Sequence, residues 1–153
     1  ISGAELKAMD EERYKRERLG VWADKARSAA IGAETWQRAA ITPNDIVGHA
    51  VVKRSLALEV TEDRDMSVLA GAAELDDGRV VVEILDQRGG TAWCAETAKA
   101  RYAKSKAWAG VVVDSYSGAA AVAPHLIAAG VPVTMASTRD LTTGTADFYA
   151  VDP

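Results

Sequence analysis

The sequence predicts an α/β domain whose mixed five-stranded sheet carries flanking helices, in the order β-β-β-α-β-α-β-α. Three apolar runs in the middle of the chain are separated only by short turns, which is typical of an antiparallel meander. Two later apolar runs are each preceded by a stretch of helical periodicity, which is typical of parallel strands joined by right-handed crossovers. Together these two patterns predict a sheet that is antiparallel on one side and parallel on the other.

The meander is defined by its turns. Asp76-Asp77-Gly78 is a strong hairpin signal, because Asp and Gly tolerate the positive φ angles of tight turns. Asp63-Arg64-Asp65 is the other polar break between apolar runs. We therefore predict strands over residues 55–61, 66–74 and 79–86.

Helix and strand signals alternate in the second half of the chain. The run at 107–114 is apolar throughout, as expected of a buried parallel strand. Pro124 lies inside a helical stripe, so it predicts a kink or a late helix start. We predict a helix over 92–106 with Thr91 as its N-cap, a strand over 107–114, a helix over 117–129 that Gly130 ends, a strand over 131–136 and a helix over 138–149.

The chain before the sheet is harder to interpret. Residues 4–19 predict a charged helix, supported by pairs of opposite charge four residues apart. Residues 21–54 show weak periodicity, and we expect them to pack Trp22 and Trp36 onto a neighbouring domain or onto the main sheet.

Composition excludes several classes of protein. The 153 residues are 48% hydrophobic, which is ample for a packed core and is not a disordered composition. No apolar run approaches the roughly 20 residues that a membrane span needs. One Cys excludes an intrachain disulfide, and one Cys with two His argues against a structural zinc site. The formal net charge of −4 is not the overall signature of a DNA-binding protein.

Two carboxylates stand out by their position. Glu59 interrupts an apolar strand, where a lone charge is costly to bury, so it predicts a metal ligand or else an ion-paired or edge-exposed residue. Asp114 ends a predicted parallel strand, where functional sites concentrate. The alternative for Asp114 is an N-cap of the helix at 117. The pattern alone does not bring the two acids together.

The other polar candidates have ordinary structural interpretations. Asp63 and Asp65 are typical turn formers, and Asp140 and Asp147 are the local candidates for a third acid. Neither histidine has a His or Cys four residues on, so neither predicts a metal site by spacing. We expect His49 at the surface, and His125 and Cys94 in structural positions. For four cations, two interpretations stay open, contact with phosphates and solvated surface charge: Lys53, Arg54, Arg64 and Arg88.

The element order resembles the ribonuclease H-like fold, in which the first and fourth strands are neighbours. A series of short strings makes the resemblance more specific. The chain is similar to the large terminase subunit of tailed bacteriophages, from the end of its ATPase domain through much of its nuclease domain. The strings are Arg16-Glu17-Arg18-Leu19-Gly20-Val21-Trp22, Trp36, Leu56-Ala57-Leu58-Glu59-Val60, Asp63-Arg64, Asp86, Arg88, Gly90, Trp93, Val112-Val113-Asp114, Ala129-Gly130-Val131 and Phe148-Tyr149.

The resemblance implies a metal-dependent endonuclease that cuts concatemeric double-stranded DNA during phage DNA packaging. Glu59 and Asp114 would be its catalytic residues and its ligands for two Mg²⁺ or Mn²⁺ ions. Residues 1–52 would be a linker or tail of a preceding ATPase domain, and residues 53–153 the nuclease domain. The implied partners are double-stranded DNA, the small terminase subunit and the portal protein, in the host cytoplasm and away from any membrane.

The sequence departs from that family in three ways. The first-strand acid is usually Asp, whereas Glu59 is one methylene longer. We expect the third acid of the family beyond Pro153, so residues 1–153 alone should have weak or no endonuclease activity. The phosphate-binding loop of the ATPase does not occur in this sequence. Two alternatives therefore stay open: another ribonuclease H-like nuclease such as a junction resolvase or integrase, and a non-catalytic truncated domain.

Overall fold

The computed structural model describes residues 33–105 and 107–150, with the backbone alone for residues 149 and 150. The chain divides into two compact units between Thr42 and Pro43. In the first unit the described helix is α1 (Ala33–Ala39), and its Trp36 is 56% exposed. The helix predicted over 4–19 and Trp22 lie outside the described residues.

The second unit contains a five-stranded sheet in the order β3-β2-β1-β4-β5. β1 pairs antiparallel with β2 and parallel with β4, while β2–β3 is antiparallel and β4–β5 is parallel. The predicted α/β architecture with a mixed five-stranded sheet is therefore confirmed. The strands are β1 (Val51–Val60), β2 (Met66–Leu75), β3 (Val80–Gly89), β4 (Trp108–Asp114) and β5 (Val133–Ala136). The helices are α2 (Cys94–Tyr102), α3 (Ala123–Ala128) and α4 (Thr138–Ala150), with 3₁₀ turns at Pro43–Ile46 and Gly118–Ala121.

The core lies on one face of this sheet. Along β1, Leu56, Leu58 and Val60 are buried, whereas Ala57 and Glu59 between them are exposed. This alternation arises because successive side chains of a strand point to opposite faces. The buried face of β1 packs with residues of the other strands and of the helical segments: Leu69, Cys94, Ala98, Val111, Val113, Ala119, Val122, Leu126 and Val131.

The two predicted turns of the meander are present. Gly78 has φ +86°, and its N–H donates to the Leu75 carbonyl at 3.0 Å. In the first turn Arg64 has φ +61° and donates its N–H to the Thr61 carbonyl at 2.9 Å. β1 starts at Val51 rather than at residue 55, and β3 runs to Gly89 rather than residue 86, so the meander is longer than predicted.

The first crossover helix starts later than predicted, and the predicted N-cap is wrong. The cap position is Trp93, whose side chain makes no capping hydrogen bond. Thr91 contributes its backbone carbonyl instead, which accepts the Cys94 N–H at 3.1 Å. Trp93 donates its indole N–H to the Gly90 carbonyl at 3.1 Å, so the ring anchors the turn before α2.

The predicted helix over 117–129 is split, as Pro124 suggested. A 3₁₀ turn capped by Ser117 precedes α3, and Pro124 occupies the first turn of α3. Gly130 ends the helix as predicted, with φ +83°. Its N–H donates to the Ile127 carbonyl at 2.9 Å and that of Val131 to the Leu126 carbonyl at 3.0 Å, which is the Schellman arrangement.

Gly110 marks a close approach between β4 and the segment before β5. It has φ +136°, and a Cβ placed on it would lie 2.5 Å from the Pro132 carbonyl oxygen. The Val111 N–H donates to the same oxygen at 2.8 Å, so only a glycine fits there. Within the described ranges, no helix is both long enough and apolar enough to cross a membrane.

Candidate functional site

The register of the sheet brings the two predicted acids onto neighbouring strands. Leu58 of β1 is the register partner of Val113 in β4, and Glu59 and Asp114 are the next residue on each strand. Partners on adjacent parallel strands point to the same face, about 4.8 Å apart. Leu58 and Val113 are both buried on the helix-covered face. Glu59 and Asp114 therefore lie at the same level on the opposite face, where the parallel strands end.

Glu59 lies in a central strand but is exposed to solvent. Its antiparallel partner Val68 is half buried and uncharged. The structure records no ion pair or hydrogen bond between Glu59 and another described side chain. β1 has a neighbouring strand on each side, so Glu59 does not lie at a sheet edge, but the alternative was right that its side chain is exposed. The cost of burying a lone charge, from which a metal ligand was predicted, therefore does not apply to Glu59. Its carboxylate is thus accessible to a ligand from solvent.

Asp114 uses one carboxylate oxygen to hold its own turn. Its Oδ1 accepts the Tyr116 N–H at 2.9 Å, and its carbonyl accepts the Ser117 N–H at 3.3 Å. The N-cap of the following 3₁₀ turn is Ser117, whose Oγ accepts the Ala119 N–H at 3.1 Å. The capping alternative for Asp114 is therefore wrong. From the described residues, no hydrogen bond reaches its Oδ2, so this oxygen is available to a metal ion.

Within the part of the chain that the structure describes, no third metal-capable side chain lies close to both Glu59 and Asp114. Asp63 accepts the Asp65 N–H at 3.1 Å and acts as a turn former, as predicted. A hydrogen bond from Thr61, followed by that from the Asp65 backbone, lowers the pKa of Asp63. A shallow depression of about 330 Å³ beside this turn is lined by Thr61, Glu62 and Asp63.

The local candidates for a third acid lie on α4. Asp140 accepts hydrogen bonds from the Ser137 hydroxyl at 2.7 Å and the Ser137 N–H at 2.8 Å, while its own N–H donates to Ser137 Oγ at 3.3 Å. This is a capping box, and it lowers the pKa of Asp140, chiefly through the hydroxyl. Asp140 is therefore committed to starting α4. Asp147 is exposed further along the same helix.

Two of the four cations for which phosphate contact and solvated charge were both open lie beside aromatic rings. The Arg54 guanidinium lies 5.7 Å from the centre of the Trp108 ring, and that of Arg88 lies 5.0 Å from the Trp93 ring. Lys53 is exposed, and its register partner is Glu74. These contacts place the guanidinium groups of Arg54 and Arg88 beside aromatic rings of the chain, and phosphate contact by any of the four cations stays a prediction.

Arg88 also belongs to a polar cluster that joins β3 to α2. Asp86 accepts from Arg88 Nε at 3.1 Å and lies 3.5 Å from Arg101 Nη2. These guanidinium groups, that of Arg88 first, hold the pKa of Asp86 below its ordinary value. The buried Ser67 hydroxyl donates to the Gly90 carbonyl at 2.7 Å, beside the Trp93 contact. The residues Asp86, Arg88, Gly90 and Trp93 therefore have structural partners in this chain.

Arg64 lies at a groove that the sequence did not predict. The groove has a volume of about 580 Å³ and lies between α2 and the segment that runs from the 3₁₀ turn at Gly118–Ala121 through α3. Both small and polar side chains line the groove. The polar ones are Arg64, Thr91, Glu96, Lys99 and His125. His125 was expected in a structural position, but it is an exposed residue that lines this groove.

Cys94 is a packed thiol, as predicted. It is completely buried in the core, and this burial raises the pKa of the thiol. A thiol that stays protonated and inaccessible is a poor nucleophile and a poor metal ligand. Cys94 therefore belongs to the core rather than to a site.

One group of three metal-capable side chains was missed by the sequence reasoning. His49, Asp76 and Asp77 place their ligand atoms within 4.8 Å of one another. The only signal in the sequence was the acidic hairpin turn itself, because His49 is 27 residues away from Asp76.

Comparison with known proteins gives no match: no family model fits the chain, and no curated protein or solved structure is significantly similar to it.

Proposed function

We propose that this chain is a metal-dependent endonuclease domain with a ribonuclease H-like fold, from the large subunit of a phage DNA-packaging terminase. The single observation that supports this most strongly is the position of Glu59 and Asp114 one residue beyond the Leu58–Val113 register pair. Two acids on one face of neighbouring parallel strands are what the family resemblance requires. The strand order β3-β2-β1-β4-β5, with β1 beside β4, agrees with that fold.

The two acids suit hard divalent cations. Both present carboxylate oxygens, the ligands that Mg²⁺ and Mn²⁺ prefer. Glu59 is exposed, and Asp114 has its Oδ2 free of hydrogen bonds from the described residues. When bound, such ions supply Lewis-acid stabilisation of a phosphodiester and a water of lowered pKa. The role of the chain is to fix both carboxylates at one level of the sheet, so that they hold this charge beside the scissile phosphate.

The wider setting follows from the same resemblance. The substrate would be concatemeric double-stranded DNA, and the partners the small terminase subunit and the portal protein, in the cytoplasm of the host. A boundary between residues 52 and 53 would cut β1, which begins at Val51, whereas the compact units divide between Thr42 and Pro43. The tail of the ATPase domain would therefore end before Pro43, and the nuclease would begin there.

The test is nicking of supercoiled plasmid DNA by the full chain with Mn²⁺ or Mg²⁺. Glu59→Gln and Asp114→Asn should each reduce nicking to the level seen with EDTA. Two other exposed acids provide matched controls: Glu74→Gln on β2 and Asp65→Asn in the first turn should nick like the unmodified chain. Equal nicking by the unmodified chain and by both site variants would refute the assignment. A preference for branched over linear substrates would instead favour a junction resolvase or integrase.

A non-catalytic interaction domain that keeps the fold of the nuclease is the alternative. Among the described residues, no third metal-capable side chain joins Glu59 and Asp114, which agrees with this alternative and equally with a nuclease whose third acid lies beyond Pro153. Nicking and Mn²⁺ binding together separate the two. The non-catalytic domain predicts no nicking with either metal, and no change in Mn²⁺ affinity on Glu59→Gln or Asp114→Asn.

A further inference from the structure

Three metal-capable side chains meet at the end of the sheet remote from Glu59. His49 lies just before β1, while Asp76 and Asp77 form the turn between β2 and β3. His49 Nδ1 lies 2.9 Å from Asp76 Oδ1 and 3.4 Å from Asp77 Oδ2. The side chains of His49, Asp76 and Asp77 are 33%, 46% and 32% exposed, so an ion from solvent can reach all three.

The neighbouring backbone already orients both carboxylates. The Ala50 N–H donates to Asp76 Oδ2 at 3.1 Å, which turns Oδ1 towards the imidazole. The Arg79 N–H donates to Asp77 Oδ1 at 3.0 Å, which leaves Oδ2 on the side of His49. The Ala50 N–H and then His49 lower the pKa of Asp76, and the Arg79 N–H and then its guanidinium lower the pKa of Asp77. Aspartate is ionised at neutral pH, and the carboxylate is the form that binds metal.

The separations are close to those between ligands of a small divalent ion. With bonds of about 2.0–2.2 Å to nitrogen and oxygen in a tetrahedral site, neighbouring ligand atoms lie roughly 3.3–3.6 Å apart. The 3.4 Å distance from His49 Nδ1 to Asp77 Oδ2 falls within this range, whereas the 2.9 Å distance to Asp76 Oδ1 is shorter than it. All three ligand atoms lie within 4.8 Å of one another, so side-chain rotations must adjust these separations when an ion binds.

Two existing interactions compete with an ion for this position. His49 Nδ1 and Asp76 Oδ1 form a hydrogen bond at 2.9 Å, so an ion must replace the proton between them. The Arg79 Nε–H donates to Asp77 Oδ2 at 2.7 Å, so an ion must share that oxygen or displace the guanidinium. The backbone hydrogen bonds to Asp76 and Asp77 are unaffected by this exchange. Arg79 therefore weakens the site without disordering it.

We propose that His49 Nδ1, Asp76 Oδ1 and Asp77 Oδ2 bind one divalent cation of the Zn²⁺ class, with water in the remaining position. One imidazole nitrogen with two carboxylates suits Zn²⁺ or Co²⁺ better than Mg²⁺, which prefers oxygen ligands alone. The bound ion ties the segment before β1 to the β2–β3 turn. It lies about 30 Å from Glu59, because β1 separates them at about 3.3 Å per residue, so it is independent of the proposed nuclease site.

The first test measures binding of Zn²⁺ alone to the full chain by isothermal titration calorimetry at pH 7. His49→Asn keeps a hydrogen-bonding side chain but removes the imidazole, and Asp76→Asn removes one carboxylate. Each should weaken Zn²⁺ binding at least tenfold. The matched control is His125→Asn, which changes the other of the two histidines and should bind like the unmodified chain.

The second test identifies the ligands directly. Co²⁺ should give the visible absorption bands of a tetrahedral N/O site in the unmodified chain and in His125→Asn, but not in His49→Asn. The imidazole NMR signals of His49 should shift with Zn²⁺, whereas those of His125 should not. Equal Zn²⁺ binding by the unmodified chain and His49→Asn, or no binding at about 1 mM Zn²⁺, would overturn the proposal.

Discussion

Leu58 and Val113 lie opposite each other in the parallel pairing of β1 with β4, and they are 2% and 1% exposed. This contact fixes two things at once. It seals the helix-covered core between the central strands, and it sets the level at which the next residues, Glu59 and Asp114, emerge on the other face. A shift of one residue in the pairing of β1 with β4 would separate the two acids and point the side chain of one of them into the core.

The first prediction tests which face of β1 is buried. Leu58→Ala should lower the free energy of unfolding by about 2–5 kcal/mol, because it leaves a cavity in the core. Glu59→Ala changes an exposed side chain and should stay within about 0.5 kcal/mol of the unmodified chain. Urea unfolding followed by circular dichroism measures both. A large loss for Glu59→Ala would mean that Glu59 is buried and paired, and would contradict the accessible position described above.

The second prediction separates the two proposed metal sites. Mn²⁺ binds both imidazole and carboxylate, so calorimetry on the unmodified chain adds the contributions of both sites. In a His49→Asn background, Glu59→Gln and Asp114→Asn should each reduce the remaining Mn²⁺ binding. The two sites are about 30 Å apart. The Mn²⁺-binding free energy lost through His49→Asn and that lost through Glu59→Gln or Asp114→Asn should therefore add to within about 0.5 kcal/mol.

Plasmid nicking distinguishes these sites further. His49→Asn should leave Mn²⁺-dependent nicking unchanged, since it touches neither Glu59 nor Asp114. Loss of nicking in His49→Asn would instead assign the activity to the His49, Asp76 and Asp77 group, and would refute the acid pair on β1 and β4.

The third prediction compares two glycines with positive φ. Gly110→Ala should destabilise the fold by at least about 3 kcal/mol, because the new Cβ would add a clash with the Pro132 carbonyl to the backbone strain. At Gly130 nothing lies within 4 Å of an added Cβ, so Gly130→Ala should cost only about 1 kcal/mol of backbone strain. Thermal unfolding of the two variants measures the difference. Equal losses would show that β4 does not approach Pro132 as closely as described.

The fourth prediction concerns acid and Asp86. The pKa of Asp86 is lower in the folded chain than its ordinary value, chiefly because of Arg88. A group of this kind contributes stability that is fully present above the unfolded pKa, which is 3.8 for Asp, and that is lost as the pH falls towards the folded pKa. Asp86→Asn should therefore be less stable than the unmodified chain at pH 7, and the difference should shrink below about pH 4.

Urea midpoints at pH 7, 5 and 3 measure this trend for Asp86→Asn. Asp65→Asn is the control, because the described residues provide no hydrogen-bond partner for the Asp65 side chain. A stability difference for Asp86→Asn that stays constant from pH 7 to pH 3 would contradict the role assigned to Arg88.

Local sequence patterns were sufficient to predict much of the sheet. Asp76-Asp77-Gly78 predicted a turn because three adjacent residues are sufficient to meet the backbone requirements of a tight turn. Pro124 and Gly130 predicted a late start and an end for a helix for the same reason. Thr91 misled because its N-cap preference does not fix where the helix begins: α2 starts at Cys94, and the Trp93 indole, which donates to the Gly90 carbonyl, anchors the turn before it.

The sites depended on contacts that no local pattern contains. Apolar periodicity placed Glu59 and Asp114 on separate strands, but only the strand order, expected from the family resemblance, put them side by side. His49 and the Asp76-Asp77 turn meet through the antiparallel pairing of β1 and β2, which joins Val51 to Leu75. The aromatic partners of Arg54 and Arg88 are likewise tertiary, so no local pattern predicted them.

The two acids differ in how freely their side chains can move. β1 is hydrogen-bonded to β2 and to β4, and Asp114 pairs with Ala136 of β5, so the backbones of both acids are held within the sheet. The amide protons of these central strands should exchange with solvent only in rare openings of the whole sheet. Asp114 Oδ1 is held by the Tyr116 N–H, whereas no described side chain holds the Glu59 carboxylate. Asp114 is therefore the fixed member of the pair, and Glu59 is the member that can adjust when the geometry around an ion changes.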